Sequence, residues 1–126
     1  MRIVRRLLAG AAILVACGEP TAPRPVPGEL IVRLETPADD DAAILFSVTG
    51  PALDNIQFRD GVTAHTRPVE NGFRSAVFGT LSSGTLVRFS VPDLNRRTAY
   101  SATIVEVSDQ SNALVPSLSG YRLVIE

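Results

Sequence analysis

The sequence predicts an all-β domain, an antiparallel β-sandwich of seven or eight strands, and three observations carry that expectation. Short segments alternate apolar and polar side chains with a period of two, as half-buried strands do. Gly, Pro, Asn, Asp and Ser gather between those segments at roughly ten-residue spacing, where turns are needed. No segment keeps the 3.6-residue apolar period of a core helix. With 126 residues, 45% apolar and 20% charged, the chain has material for one hydrophobic core and not for two.

Ahead of the strands stands RRLLAGAAILVAC, residues 5–17. Its apolar run, residues 7–16, is about half of the roughly 20 residues that cross a bilayer core, and Gly10 interrupts it, so a permanent membrane helix is not expected. Arg2, Arg5 and Arg6 followed by an apolar run and then small residues form the pattern of a removable export signal. Leu14, Val15, Ala16 and Cys17 resemble the lipobox of bacterial lipoproteins: Leu three positions before the Cys, small or apolar residues between, and Cys as the first mature residue. The resemblance implies a signal peptide over residues 1–16, a diacylglycerol on the Cys17 sulfur and acylation of the freed amine. One acyl chain holds a protein only marginally, whereas two or three, at about 0.8 kcal/mol per buried CH2, anchor it permanently. In diderm bacteria Asp after the Cys retains a lipoprotein in the inner membrane, so by resemblance Gly18 permits transfer to the outer one. The alternative is an ordinary secretory signal with Cys17 merely near the cut.

Cys17 is the only cysteine. A lone Cys forms no internal disulfide, and a thioether-linked one is neither nucleophile nor metal ligand. Residues 17–28 then form a linker in which GEPTAPRPVPG, residues 18–28, carries four prolines. Such composition favours extended polyproline II at about 3.1 Å per residue, a stiff stalk some 30 Å long. The other reading is an arm lying on the domain.

The domain itself is expected over residues 29–126. Residues 30–35 (LIVRLE) set Leu30, Val32 and Leu34 on one face, and residues 36–41 (TPADDD) are turn chemistry. Residues 43–49 (AILFSVT) set Ile44, Phe46 and Val48 together before Gly50-Pro51 stops the strand. Ile56 and Phe58 mark a third strand ended by Asp60-Gly61, and residues 62–67 an edge strand before Pro68. Residues 73–78 (FRSAVF), 85–91 (TLVRFSV), 98–107 (TAYSATIVEV) and 121–125 (YRLVI) complete the series, separated by Asn71-Gly72, Ser83-Gly84, Pro92-Asp93 and Ser119-Gly120. This is the strand density of a sandwich.

Within residues 94–104 (LNRRTAYSATI), Leu94 stands six positions before Tyr100 and Thr98 two before it. That spacing resembles the corner leading into the sixth strand of fibronectin type III and other immunoglobulin-like domains. The resemblance implies an immunoglobulin-like sandwich in which Leu94 and Tyr100 are structural, the Tyr hydroxyl bonding a backbone group a few residues upstream. The chain departs from the pattern in having no Trp and in placing Arg96 where proline is common. A cohesin-like or jelly-roll sandwich gives much of the same alternation.

Charge excludes one class of partner. All twelve cationic residues are Arg, and removing Arg2, Arg5 and Arg6 with the leader leaves nine against 13 acids, a mature charge of −4. Binding nucleic acid needs a concentrated basic face, and these arginines are scattered. The one histidine, His65, has no second His or free Cys with which to hold zinc, and no activated serine accompanies it. Asp39, Asp40 and Asp41 offer hard oxygen ligands for Ca2+ but lack the spacing of a calcium loop, so they read as a solvated turn. Arg96 and Arg97 beside Asn95 form a small basic tip. No cofactor motif occurs.

These features point to a non-enzymatic lipoprotein, anchored to the cell membrane and more readily the outer than the inner one in a diderm, whose sandwich binds or scaffolds an envelope protein. Carbohydrate recognition is the second reading and needs exposed aromatic rings; a small envelope hydrolase is the third and needs an acid converging on His65.

Overall fold

The computed structural model describes residues 23–126. Eight strands build two four-stranded antiparallel sheets: β1 (Gly28–Glu35), β2 (Asp41–Thr49), β3 (Asp54–Phe58), β4 (Thr63–Val69), β5 (Gly72–Leu81), β6 (Gly84–Val91), β7 (Ser101–Ser108) and β8 (Arg122–Ile125). The first sheet runs β3-β6-β1-β8 and the second β4-β5-β2-β7. The architecture is the two-sheet sandwich that the alternation predicts. The last strand, β8, joins β1 in the first sheet and does not extend the second beside β7.

The core lies between the sheets, and the period-two pattern decides which residues enter it. Leu30, Val32 and Leu34 of β1, Ile44, Phe46 and Val48 of β2, and Phe73 and Val77 of β5 are all buried. An aromatic chain ties the layers together. Phe46 meets Phe73 edge-on at 6.2 Å, Phe73 meets Phe89 at 6.3 Å, and Phe89 meets Tyr100 at 5.8 Å. The first two pairs are edge-to-face and the third is tilted, and such aromatic contacts add to the burial of large apolar surfaces. Ser75, buried in the same row, is satisfied by the Thr66 hydroxyl at 3.0 Å and the His65 carbonyl at 3.3 Å.

Four register shifts interrupt the ladders, one of them in the β3–β6 pair between Asp54 and Gln57, and the other three decide which residues enter the core. One between Asp41 and Ala43 turns Asp41 inward. A second, where β1 faces β6, leaves Leu86 between the partners of Val32 and Arg33, so that Leu86 and Val87 are both buried. The third places Ile104 and Glu106 opposite Phe46 and Leu45, which makes Val105 the extra residue of a bulge in β7. After a bulge the face parity of a strand inverts, so Val107 is buried three residues after Ile104 rather than two.

Two sequence expectations need correction. The strand foreseen over residues 98–107 starts at Ser101, because Leu94–Ala99 forms a short 3-10 segment whose first turn is capped by Asp93, the carboxylate accepting the Asn95 N–H at 3.0 Å. Asp41 is no part of a solvated turn. It is 3% exposed and its carboxylate accepts from the hydroxyls of Thr36 at 3.2 Å and Tyr121 at 2.9 Å. A buried carboxylate without such donors would cost several kcal/mol.

Both ends of the described segment are tied down as well. Arg33 pairs with Glu35 and Glu126, and Arg122 pairs with Glu35, across β1 and β8. At the other extremity the end of the proline-rich stretch is tied to the 3-10 segment: Val26 N–H donates to Asp93 at 3.1 Å, Leu94 N–H to the Val26 carbonyl at 2.7 Å, and Asn95 Nδ2 to the Arg24 carbonyl at 3.2 Å. Residues 24–28 therefore lie along the domain. The stalk expected over residues 18–28 does not run through residues 24–28, and residues 18–22 lie outside the described residues.

Candidate functional site

Cys17, with Leu14, Val15 and Ala16, lies outside the described residues. Leu94 and Tyr100 form the corner at the mouth of β7. Leu94 packs over Gly28, where an added Cβ would stand 2.6 Å from Leu94 Cδ1, and Tyr100 is buried with its hydroxyl donating to the Ala52 carbonyl. The acceptor is 48 positions upstream, in the β2–β3 connection, not a few residues away. Arg96 and Arg97 are exposed on the 3-10 segment. Among the described residues no group of three or more His, Cys, Asp or Glu side chains is arranged to hold a metal ion, and no helix is long and apolar enough to cross a membrane.

One surface that departs from a solvated sandwich is the outer face of the second sheet. Because Phe73, Ser75 and Val77 of β5 point inward, Arg74, Ala76 and Phe78 point outward. Register then sets their neighbours. On β4, Arg67 faces Arg74, His65 faces Ala76 and Thr63 faces Phe78. On β2, Ser47, Leu45 and Ala43 face the same three residues in turn. Leu45, Ala76 and Phe78 thus form an apolar diagonal across the sheet. Phe78 is 46% exposed, and Val105 of the β7 bulge is 40% exposed.

Small side chains make this face concave. A depression of about 320 Å³ is lined by Leu45, His65, Thr66, Arg67, Arg74 and Ala76. A second, of about 150 Å³, shares Leu45 and Ala76 with it and reaches Phe78, Ala43, Glu106 and Ser108. The alanines leave the floor open between the larger walls. His65 packs its ring edge-on against Phe78 at 6.0 Å, and the ring's partner is this apolar neighbour rather than an acid. Arginines border one end of the shared groove and Glu106 the other.

The strand alternation at residues 73–78 already assigns Arg74, Ala76 and Phe78 to the solvent side. What the sequence does not give is the pairing of β4 and β2 with β5, which brings Leu45, His65 and Arg67 to the same place. No protein-family model, no curated protein and no solved structure matches this chain.

Proposed function

We propose that this chain is a lipid-anchored, non-enzymatic binding protein of the bacterial cell envelope, and that the outer face of its second sheet is the binding surface. The carrying observation is the apolar run of Leu45, Ala76 and Phe78, with Phe78 exposed in the lobe of the groove that Glu106 borders. A contiguous apolar patch lining a pre-formed depression is the usual mark of a docking site. Anchoring follows from Leu14, Val15, Ala16 and Cys17 behind a basic and apolar leader. A permanent acyl anchor confines the domain to the envelope and raises its effective concentration toward partners there.

Carbohydrate recognition is the second reading, favoured by the same exposed Phe78 ring. It ranks lower because Phe46, Phe73, Phe89 and Tyr100 are committed to the core, and stacking on sugars usually draws on more than one ring.

The test is photo-crosslinking in native membranes from benzoylphenylalanine placed at Phe78 and, as control, at exposed Arg88 on the outer face of the first sheet. A discrete adduct from position 78 that is absent from position 88 is expected. Identical products from both positions, or none from 78, would overturn the assignment of this face.

A further inference from the structure

Arg67 and Arg74 stand directly opposite one another on β4 and β5. Like charges at facing positions of an antiparallel pair repel and destabilise the ladder unless a counter-charge is near. None is supplied: among the described residues the ion pairs involve Arg33 and Arg122, and the one side-chain bond of this pair runs from Arg74 Nε to the neutral Ser47 hydroxyl at 3.2 Å. Both arginines line the larger depression, whose remaining walls include Leu45, His65 and Ala76. Two adjacent guanidinium groups are a ready receptor for an oxyanion, since each presents a planar fork of donors.

We infer that this end of the groove binds the oxyanion of a small amphipathic ligand, with Arg67 and Arg74 on the carboxylate or phosphate and an apolar body lying over Leu45 and Ala76 toward Phe78. The inference rests on the reading of this face as the binding surface and names its ligand chemistry. From Arg74 to Phe78 is four residues of strand, about 13 Å at some 3.3 Å per residue, room for a ring or short chain beyond the anionic group. Glu106 borders the far lobe and opposes a second anionic group there, so the ligand carries its negative charge at one end.

The probes are 4-phenylbutyrate, phenyl phosphate, 4-phenylbutylamine and acetate, titrated into the mature domain and followed by NMR. Saturable shifts at residues 45, 65, 67, 74, 76 and 78 are expected with one or both of the aromatic anions, and the tighter of the two identifies the oxyanion. The amine, isosteric but cationic, and acetate, which lacks the apolar body, should bind at least tenfold more weakly. Arg67→Gln should weaken the anion about tenfold while raising the melting temperature of the free domain at low ionic strength, a gain that shrinks in high salt as the repulsion is screened. Equal binding of amine and anion, no saturable shift with either anion, or an Arg67→Gln variant that is less stable than the parent would each overturn the inference. If the crosslink at position 78 persists while neither anion binds, the binding face stands and only its ligand chemistry falls.

Discussion

The ring of Tyr100 lies against Gly50 so closely that a Cβ built on Gly50 would overlap the Tyr100 Cδ1 and Cε1 atoms. This contact, with the Tyr100 hydroxyl on the Ala52 carbonyl, fixes the β2–β3 connection against the corner that starts β7. Gly50→Ala is expected to destabilise the domain by about 1–3 kcal/mol, the usual penalty of overpacking a close contact. Tyr100→Phe keeps the ring but strands the Ala52 carbonyl, at about 1–2 kcal/mol. Urea unfolding of both variants checks this, and a Gly50→Ala domain as stable as the parent would show that the corner is not tightly packed.

Tyr121 donates to the buried Asp41 carboxylate in a further, partly buried polar contact. Burial, followed by the hydrogen bond to the Asp41 carboxylate, raises the Tyr121 phenol above its ordinary 10.0. A folded-state value above the unfolded one means that the contribution to stability is present below the ordinary value and is lost as pH rises through the folded one. Spectrophotometric titration near 295 nm, with Tyr121→Phe assigning the signal, should place the Tyr121 phenol above its ordinary 10.0. Asp41→Asn should bring that titration down, though not fully, because burial remains. Tyr121→Phe should destabilise by about 1 kcal/mol.

Acid should loosen both ends of β1. The Arg122 hydrogen bond, assisted by Arg33, holds the Glu35 carboxyl below its ordinary 4.5, and the Val26 and Asn95 N–H groups hold Asp93 below its ordinary 3.8. Folded values below the unfolded ones mean stability that is complete above those ordinary values and lost as pH falls through the depressed ones. Melting temperature should therefore be flat from neutral pH to about 5 and decline below it. In Asp93→Ala the amide of Val26 should exchange faster with solvent while the core amides of β2 and β5 do not change.

Phe78 separates binding from folding. Since its side chain leaves the core and is 46% exposed, Phe78→Ser should cost no more than about 1–1.5 kcal/mol, roughly half of what full burial of a Phe side chain contributes, while abolishing retention of a partner captured through this face. Val77→Ser, one position away and fully buried, should instead unfold much of the protein. Thermal melts of the pair make the comparison.

Where the sequence could be read and where it could not has a physical cause in particular residues. Leu30, Val32, Leu34, Ile44, Phe46 and Val48 fall inward as their alternation says, because strand pleat alone decides face. Asp41, Leu86 and Val107 do not follow from alternation. Each lies at or just beyond a register shift, and a bulge depends on the partner strand, which a linear reading does not contain. The corner was legible in Leu94 and Tyr100, but the distant acceptor, Ala52, was not. The candidate face was half legible: Arg74, Ala76 and Phe78 share a parity, whereas Arg67, His65 and Leu45 reach them only through the pairing of β4 and β2 with β5.

The proposed anchor at residue 17 is decided by the intact mass of the protein extracted from its native membranes. The expected product is a chain beginning at Cys17 and heavier than the polypeptide by a diacylglyceryl group, with or without a further acyl chain on its amine. A free thiol at Cys17, or a chain that still carries residues 1–16, would contradict it.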